Sequence, residues 1–348
     1  MDRGVLCAVN DNRTIRVSVG TAAALGLVNV RCDILPSTAY LMTCGGCVSR
    51  CAFCAQARSS NSSEALLSRV SWPEFPIEQV LDALARGNSI LQRVCVQVTS
   101  TSTARKTTKE LVSDMLKIRQ ACGFAYQISL SYHPSSVSDV ESLFALGVDR
   151  IGIALDAATQ RIHERTKAGS GSWAGTLRLI EESSARFPGR ISTHLIVGLG
   201  ETEEELVNII QHMKDLGITI GLFAFTPVKG TPMERVPQPQ PDTYRRVQIA
   251  RHLITGGYVT AQDFSFANGR ILDVGLAPET LRKLISDGAP FETSGCPDCN
   301  RPYYNERPGG VTFNYPRSLT EAEIQNCILE AKLEGLETED TPRGSKGR

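Results

Sequence analysis

The 348-residue chain balances 37 Lys and Arg against 37 Asp and Glu, and no apolar run approaches the roughly 20 residues of a membrane-spanning helix. A net charge of zero gives no basic groove for nucleic acid and no pull toward an anionic membrane surface, so neither partner is expected. Eleven cysteines without a signal-peptide-like hydrophobic segment read as metal binding in a reducing, cytoplasmic compartment.

Over residues 1–36 the pattern is weak. Residues 14–19 alternate as a strand does, and 21–25 read as a helical turn closed by Gly26. Cys7 and Cys32 lie here, each either a small buried hydrophobe or a ligand. From Thr38 onward strands and helices alternate, the pattern of parallel strands joined by helical crossovers. The first strand runs through Ala39-Tyr40-Leu41-Met42. Pro76 stands where the first turn of a helix tolerates it, with Ile77, Val80, Leu81 and Leu84 on one face and Gly87 as the stop. Residues 94–98 form the second strand. Thr107 and Glu110 make a capping box for a helix that turns Leu111, Met115 and Ile118 inward and ends at Gly123.

Residues 126–132 are the third strand, and 137–146 a helix stopped by Gly147. The fourth strand, 150–155, delivers Asp156 at its C-terminal end. A helix over 172–186, a fifth strand over 191–199, and a Thr202/Glu205 capping box for a helix through Leu216 follow. The sixth strand is 218–225, and a proline-rich connector over 236–241 leads to a helix over 242–254. Six βα units without a sequence repeat predict an α/β fold, a partial (β/α)6 TIM-like barrel over 37–260. Residues 1–36 form an N-terminal extension, 261–335 a C-terminal extension with a C-x2-C knuckle, and 336–348 a disordered tail. In parallel barrels chemistry gathers at the C-terminal ends of the strands.

The most informative stretch leaves the first strand at that end. Cys47, Cys51 and Cys54 stand in a C-x3-C-x2-C spacing, with Phe53 just before the last. Three thiolates on a short loop can hold three irons of a [4Fe–4S] cube and leave the fourth open, and soft thiolates select iron–sulfur or zinc. Cys44, three residues earlier, permits a four-cysteine zinc knuckle instead, but structural zinc sites place their two pairs a dozen or more residues apart. The stretch resembles the signature of the radical S-adenosylmethionine (SAM) superfamily. The resemblance implies a cluster whose open iron is chelated by SAM, reductive cleavage to a 5′-deoxyadenosyl radical, and an external reductant such as ferredoxin or flavodoxin.

Other strand ends then read as SAM contacts. Gly198-Leu199-Gly200-Glu201-Thr202 is a tight βα turn with a helix cap, and it resembles the fifth-strand adenine-binding segment of the superfamily, Gly198 and Glu201 included. Asp156 resembles the fourth-strand residue that binds the SAM ribose; its plain alternative is a helix N-cap. Ser129 and Ser131 are ribose or carboxylate candidates. Thr99, Ser100 and Thr101 replace the Gly-Gly-Glu common in the superfamily.

Val197-Gly198-Leu199-Gly200-Glu201-Thr202 also resembles biotin synthase and lipoyl synthase. Biotin synthases hold a second cluster by cysteines on the second, third and fifth strands. Here Cys95 fits the first position, but Ser129 and Ser192 stand at the others, which argues against a true biotin synthase. A second metal site is suggested by Cys296-Pro297-Asp298-Cys299, either a zinc knuckle or an auxiliary [4Fe–4S] cluster, with Cys44 and Cys32 as the natural completing ligands. Arg69 to Pro73, Gln238-Pro239, Tyr244-Arg245-Arg246-Val247 and the 294–302 segment together resemble a biotin synthase-like group that includes subunits of the two-component lipoyl synthase. That resemblance implies a sulfurtransferase inserting sulfur into an octanoyl chain on a lipoyl domain or H protein, beside a second radical SAM subunit, with the auxiliary cluster as sulfur donor. A mutase or lyase without sulfur insertion is the alternative.

Overall fold

The computed structural model describes residues 13–87, 90–122, 126–302, 304, 306, 310–334 and 336. Its main sheet contains β1 (Thr14–Val17), β2 (Thr38–Thr43), β3 (Glu74–Pro76), β4 (Arg93–Gln97), β5 (Gln127–Ser131), β6 (Arg150–Gly152), β7 (Ile191–Val197) and β8 (Thr219–Ala224). Their order is β8, β7, β6, β5, β4, β2, β1, β3. The six strands from β2 to β8, β3 excepted, run parallel. This is the expected α/β partial barrel of six βα units. The weak N-terminal stretch supplies β1, which pairs antiparallel with both β2 and β3 and extends one edge.

Helices cover the outside: α1 (Val19–Ala24), α2 (Ile77–Ala85), α3 (Ala104–Cys122), α4 (Val137–Leu146), α5 (Gln160–Thr166), α6 (Trp173–Arg186), α7 (Glu203–Asp215) and α8 (Pro241–Thr255). Strands faced by helices on one side and barrel contents on the other are buried on both, which is why all six residues of β2 are buried. Ile77, Val80, Leu81 and Leu84 of α2 meet the sheet as their spacing requires.

Three local expectations change. Helix α3 begins at Ala104, so Thr107 is interior and its hydroxyl donates back to the Thr103 carbonyl at 3.1 Å instead of capping. Pro76 is the N-cap of α2, one position outside the first turn. The fourth strand pairs only through Gly152, and contact with β7 resumes as an isolated bridge between Asp156 and Leu195. The Thr202/Glu205 capping box of α7 is present in both directions. Gly123 lies outside the described residues, as does Cys7.

Beyond the barrel, an antiparallel hairpin (Ser265–Ala267 with Arg270–Asp273), α9 (Pro278–Ile285) and α10 (Glu321–Ala331) fold back onto α7 and α8. A buried ion pair fastens them. The Arg246 guanidinium meets Glu203 at 2.6 Å and donates to the Ala331 carbonyl at 2.9 Å, while Glu203 accepts from the Ile271 amide at 2.8 Å. Leu336, at the head of the expected tail, is buried; residues 337–348 lie outside the described residues. No helix among the described residues is long and apolar enough to cross a membrane.

Candidate active site at the C-terminal end of the barrel

The cysteine loop leaves β2 after Thr43 and is held at several points. Residues 50–51 pair antiparallel with 167–168, the Ala52 amide donates to the Thr166 carbonyl at 2.7 Å, and the Val48 amide to Ser100 at 2.8 Å. Within the loop the Cys54 amide donates to the Cys51 carbonyl at 3.1 Å, a turn that brings the last two cysteines together. Cys47, Cys51 and Cys54 consequently line one cavity of about 230 Å³, with Phe53 in the same wall. Burial pushes the Cys51 thiol up to about 12 and the Cys54 thiol to about 11, and the neighbouring thiols add to both. Thiolates here need nearby positive charge, which iron supplies when bound.

Across the cavity stands Asp156, held at a φ of 61°. Its amide donates to the His194 carbonyl at 2.8 Å, and its own carbonyl accepts from Ile196 at 2.9 Å. The ammonium of Lys167, only 1% exposed, lies 2.8 Å from the carboxylate and donates to the Ala154 carbonyl at 2.7 Å. Burial favours the neutral carboxyl, but Lys167 outweighs it and holds the Asp156 pKa below its usual range. The N-cap of α5 is Thr159, so the capping alternative for Asp156 is not realised. His133 and His194 also face the cavity, and burial lowers each to about 4, leaving both imidazoles neutral at pH 7. A carboxylate, hydroxyls and neutral imidazoles opposite three thiols suit a cluster that binds a nucleoside carrying a free amino acid group.

Comparison with known proteins agrees with this geometry. Residues 41–213 match the family model described as the radical SAM superfamily. This chain belongs to the radical SAM superfamily. Its cofactors are accordingly a [4Fe–4S] cluster and SAM. It is 26% identical over 266 residues to a ribosomal protein uS12 methylthiotransferase of Anaeromyxobacter sp., covering 72% of this chain and 54% of that one. It is likewise 26% identical over 191 residues to a biotin synthase of Leptospira interrogans, covering 53% and 51%. The chain thus spans about half the length of these curated relatives. The crystal structure of HydG, a maturase of the [FeFe]-hydrogenase, superposes with a TM-score of 0.53 at 12% identity, over 84% of this chain and 62% of that one, a likeness of fold.

Within this radical SAM site the other residues singled out by sequence divide. Thr99, Ser100 and Ser131 line the cavity, whereas Ser129 is taken by Arg93, whose Nη1 donates to it at 2.6 Å. Ser129 and Ser131 share a face of β5, but Ser129 lies two residues deeper. Gly198 and Glu201 do not line the cavity. Gly198, at a φ of 105°, lies where an added Cβ would stand 3.0 Å from Pro239, and the Glu201 carboxylate accepts from the Gly198 and Leu199 amides at 2.6 and 3.0 Å. These two residues shape the βα turn.

Cys44 and Cys32 are not brought to the C-terminal knuckle. Cys44 turns toward the N-terminal strand, where its sulfur accepts from the Thr14 hydroxyl at 3.6 Å, and Cys32 lines an adjoining cavity that shares Tyr40, Trp72, Arg301 and Tyr304 with that of the knuckle. The thiol that joins Cys296 and Cys299 is Cys95, in a second cavity of about 50 Å³ at the lower ends of the strands. Gln97, His194, Phe223 and Tyr304 line both cavities, so they form the wall between them. Cys327 is buried in the core. The roles of Lys167, His133 and His194 were not read from sequence. Lys167 gave no signal, because its partner Asp156 is reached only through the α5 turn.

Proposed function

We propose that the protein is a radical SAM sulfurtransferase of the lipoyl synthase type, inserting sulfur into an unactivated C–H bond of a protein-bound octanoyl chain. The observation that carries this reading is the pair of thiol-lined cavities sharing one wall. When bound at Cys47, Cys51 and Cys54, the cluster and SAM would supply a carbon-centred radical able to take hydrogen from an alkyl carbon, and a cluster at the second thiol group would hold the sulfur. The chain's own residues bind, orient and exclude water. Asp156, held by Lys167, would accept a hydrogen bond from a sugar hydroxyl. Met42, Leu67, Val98, Ile196, Phe223 and Phe225 give the cavity an apolar wall suited to an alkyl chain and poor in groups that would stop a radical. The methylthiotransferase relative, by its name, also delivers sulfur to a protein, which favours a substrate carried on a protein over a free small molecule.

The test is anaerobic incubation of the reconstituted protein with SAM, a low-potential reductant and an octanoylated lipoyl domain or H protein, alone and with a second radical SAM subunit. Formation of 5′-deoxyadenosine together with a sulfur mass gain on the octanoyl group is expected. Formation of 5′-deoxyadenosine with rearranged or cleaved, sulfur-free product would instead support the mutase or lyase alternative.

A further inference from the structure

We propose that Cys95, Cys296 and Cys299 ligate a second iron–sulfur cluster at the bottom of the barrel, two of its three thiolates coming from the C-terminal extension. The use of this cluster as sulfur source rests on the sulfur-insertion reading above; the ligand set does not.

Placement is the first argument. The segment over residues 293–301 is tied to the sheet at both ends. The Leu222 amide of β8 donates to Ser294 Oγ at 2.9 Å, and the Ser37 amide, just before β2, donates to Asn300 Oδ1 at 2.9 Å. The Arg301 amide adds a bond to Tyr40 Oη at 3.0 Å. Between these ties the Cys299 amide donates to the Cys296 carbonyl at 3.2 Å, a turn that presents both thiols to one side. That side faces Cys95, whose neighbours Val94 and Val96 point out to the helices while Cys95 and Gln97 point in. The knuckle is therefore a plug in the barrel floor. Ser192 on β7 stands 4.0 Å from Cys296 Sγ, so the knuckle sulfur sits against the start of that strand.

Charge is the second and independent argument. Arg93 and Arg150 open their strands at this end of the barrel, and Arg301 lines the same cavity as the three cysteines. Among the described residues none of the three forms an ion pair with a carboxylate, and the buried Nε atoms of Arg93 and Arg301 have no hydrogen-bond partner. Arg301 Nη2 donates only to the Ser294 carbonyl at 2.6 Å, and its guanidinium stacks 3.9 Å over Phe223. Buried guanidinium groups without an anionic partner are costly, because buried charges are normally paired. A [4Fe–4S]2+ core with three cysteinates carries a net charge of about −1 and offsets part of theirs.

Thiolate ligands select iron–sulfur or zinc over hard cations, so zinc is the competing metal at this site. Tyr40 Oη lies 3.2 Å from Cys299 Sγ and Ser192 Oγ 4.0 Å from Cys296 Sγ.

The test uses full-length protein carrying Cys47→Ala, Cys51→Ala and Cys54→Ala, reconstituted anaerobically and assayed for iron, sulfide and zinc. About four irons per chain are expected to remain. Adding Cys95→Ala or Cys299→Ala should remove them, while adding Cys44→Ala or Cys32→Ala should not. Iron retained without Cys95, iron lost with Cys44 or Cys32, or zinc in place of iron overturns the ligand set. Because a core cysteine substitution can impair folding, Ser192→Cys is made in the same background. It adds a thiol beside the cluster, so retained iron with an altered electron paramagnetic resonance spectrum is expected, and an unaltered spectrum counts against this location. Should the site behave as expected while no octanoyl group gains sulfur, the ligand set stands and the proposed function fails.

Discussion

Asp156 shows how much of the site is set by single side chains. A φ of 61° is uncommon for a residue with a Cβ, although Asp tolerates it better than most, and here it directs the carboxylate into the cavity against Lys167. Asp156→Asn should therefore weaken SAM binding about tenfold or more, in line with the ~1.5–3 kcal/mol of a charged hydrogen bond, and should also lower stability because it leaves the buried Lys167 ammonium without its carboxylate. Equilibrium binding on reconstituted protein checks this, and undiminished affinity would remove Asp156 from the SAM site. The imidazoles predict a pH effect with a definite sign. His133 and His194 have folded pKa values near 4, below the ~6.5 of an exposed imidazole, so between these values the unfolded chain binds more protons. Stability should rise with pH across that window and level off above it. Asp156, lowered in the folded state, adds stability that is present above the ordinary carboxylate range and lost as pH falls through its folded value. Melting temperatures from pH 4 to 7 should climb in the wild type and climb less steeply in His133→Asn/His194→Asn.

At the level of elements, strong periodicity and strong caps translate directly. Helix α4 runs over Val137–Leu146, ends at Gly147 with a φ of 116°, and matches the sequence reading. An added Cβ there would stand 3.2 Å from Leu116 as well as in a left-handed backbone, so Gly147→Ala should cost about 1–2 kcal/mol in a denaturant titration. Weak or competing signals misled. Thr107 with Glu110 has the form of a capping box, yet α3 begins at Ala104, four residues before the start a Thr107 cap would set. Helix α5 carries a single buried aliphatic residue, Ile162, in seven residues, too few for a periodicity to register. Its importance is positional: it returns the chain so that residues 167–168 pair with 50–51, placing Lys167 beside the cysteine loop and Asp156.

For the whole molecule, the C-terminal extension is part of the barrel's integrity. Arg246 and Glu203 are both buried and satisfy one another, the hairpin and the end of α10 at once. Removing one partner strands the other charge, so Arg246→Met should destabilise the protein by about 3–5 kcal/mol in equilibrium unfolding. Because the same extension carries Cys296 and Cys299, that variant should also lose iron more readily than the wild type. Retention of the wild-type iron content in a destabilised Arg246→Met protein would show the knuckle to be held independently of the α7–α8 contact.

By itself the sequence determined the six βα units and the C-x3-C-x2-C loop at the end of the first strand. It could do so because hydrophobic period, helix caps and cysteine spacing are local properties, complete within a few turns of chain. Only the tertiary structure decided which distant residues meet. Cys95 and the Cys296/Cys299 knuckle lie about two hundred residues apart, and although Cys95 matched a second-cluster position by resemblance, no local pattern joins it to the knuckle in preference to Cys32 or Cys44. The inward face of β4 and the ties from Leu222 and Ser37 make that choice. The Lys167–Asp156 pair is decided in the same way, since a contact across a βα turn depends on the path of the chain and not on the spacing of its residues.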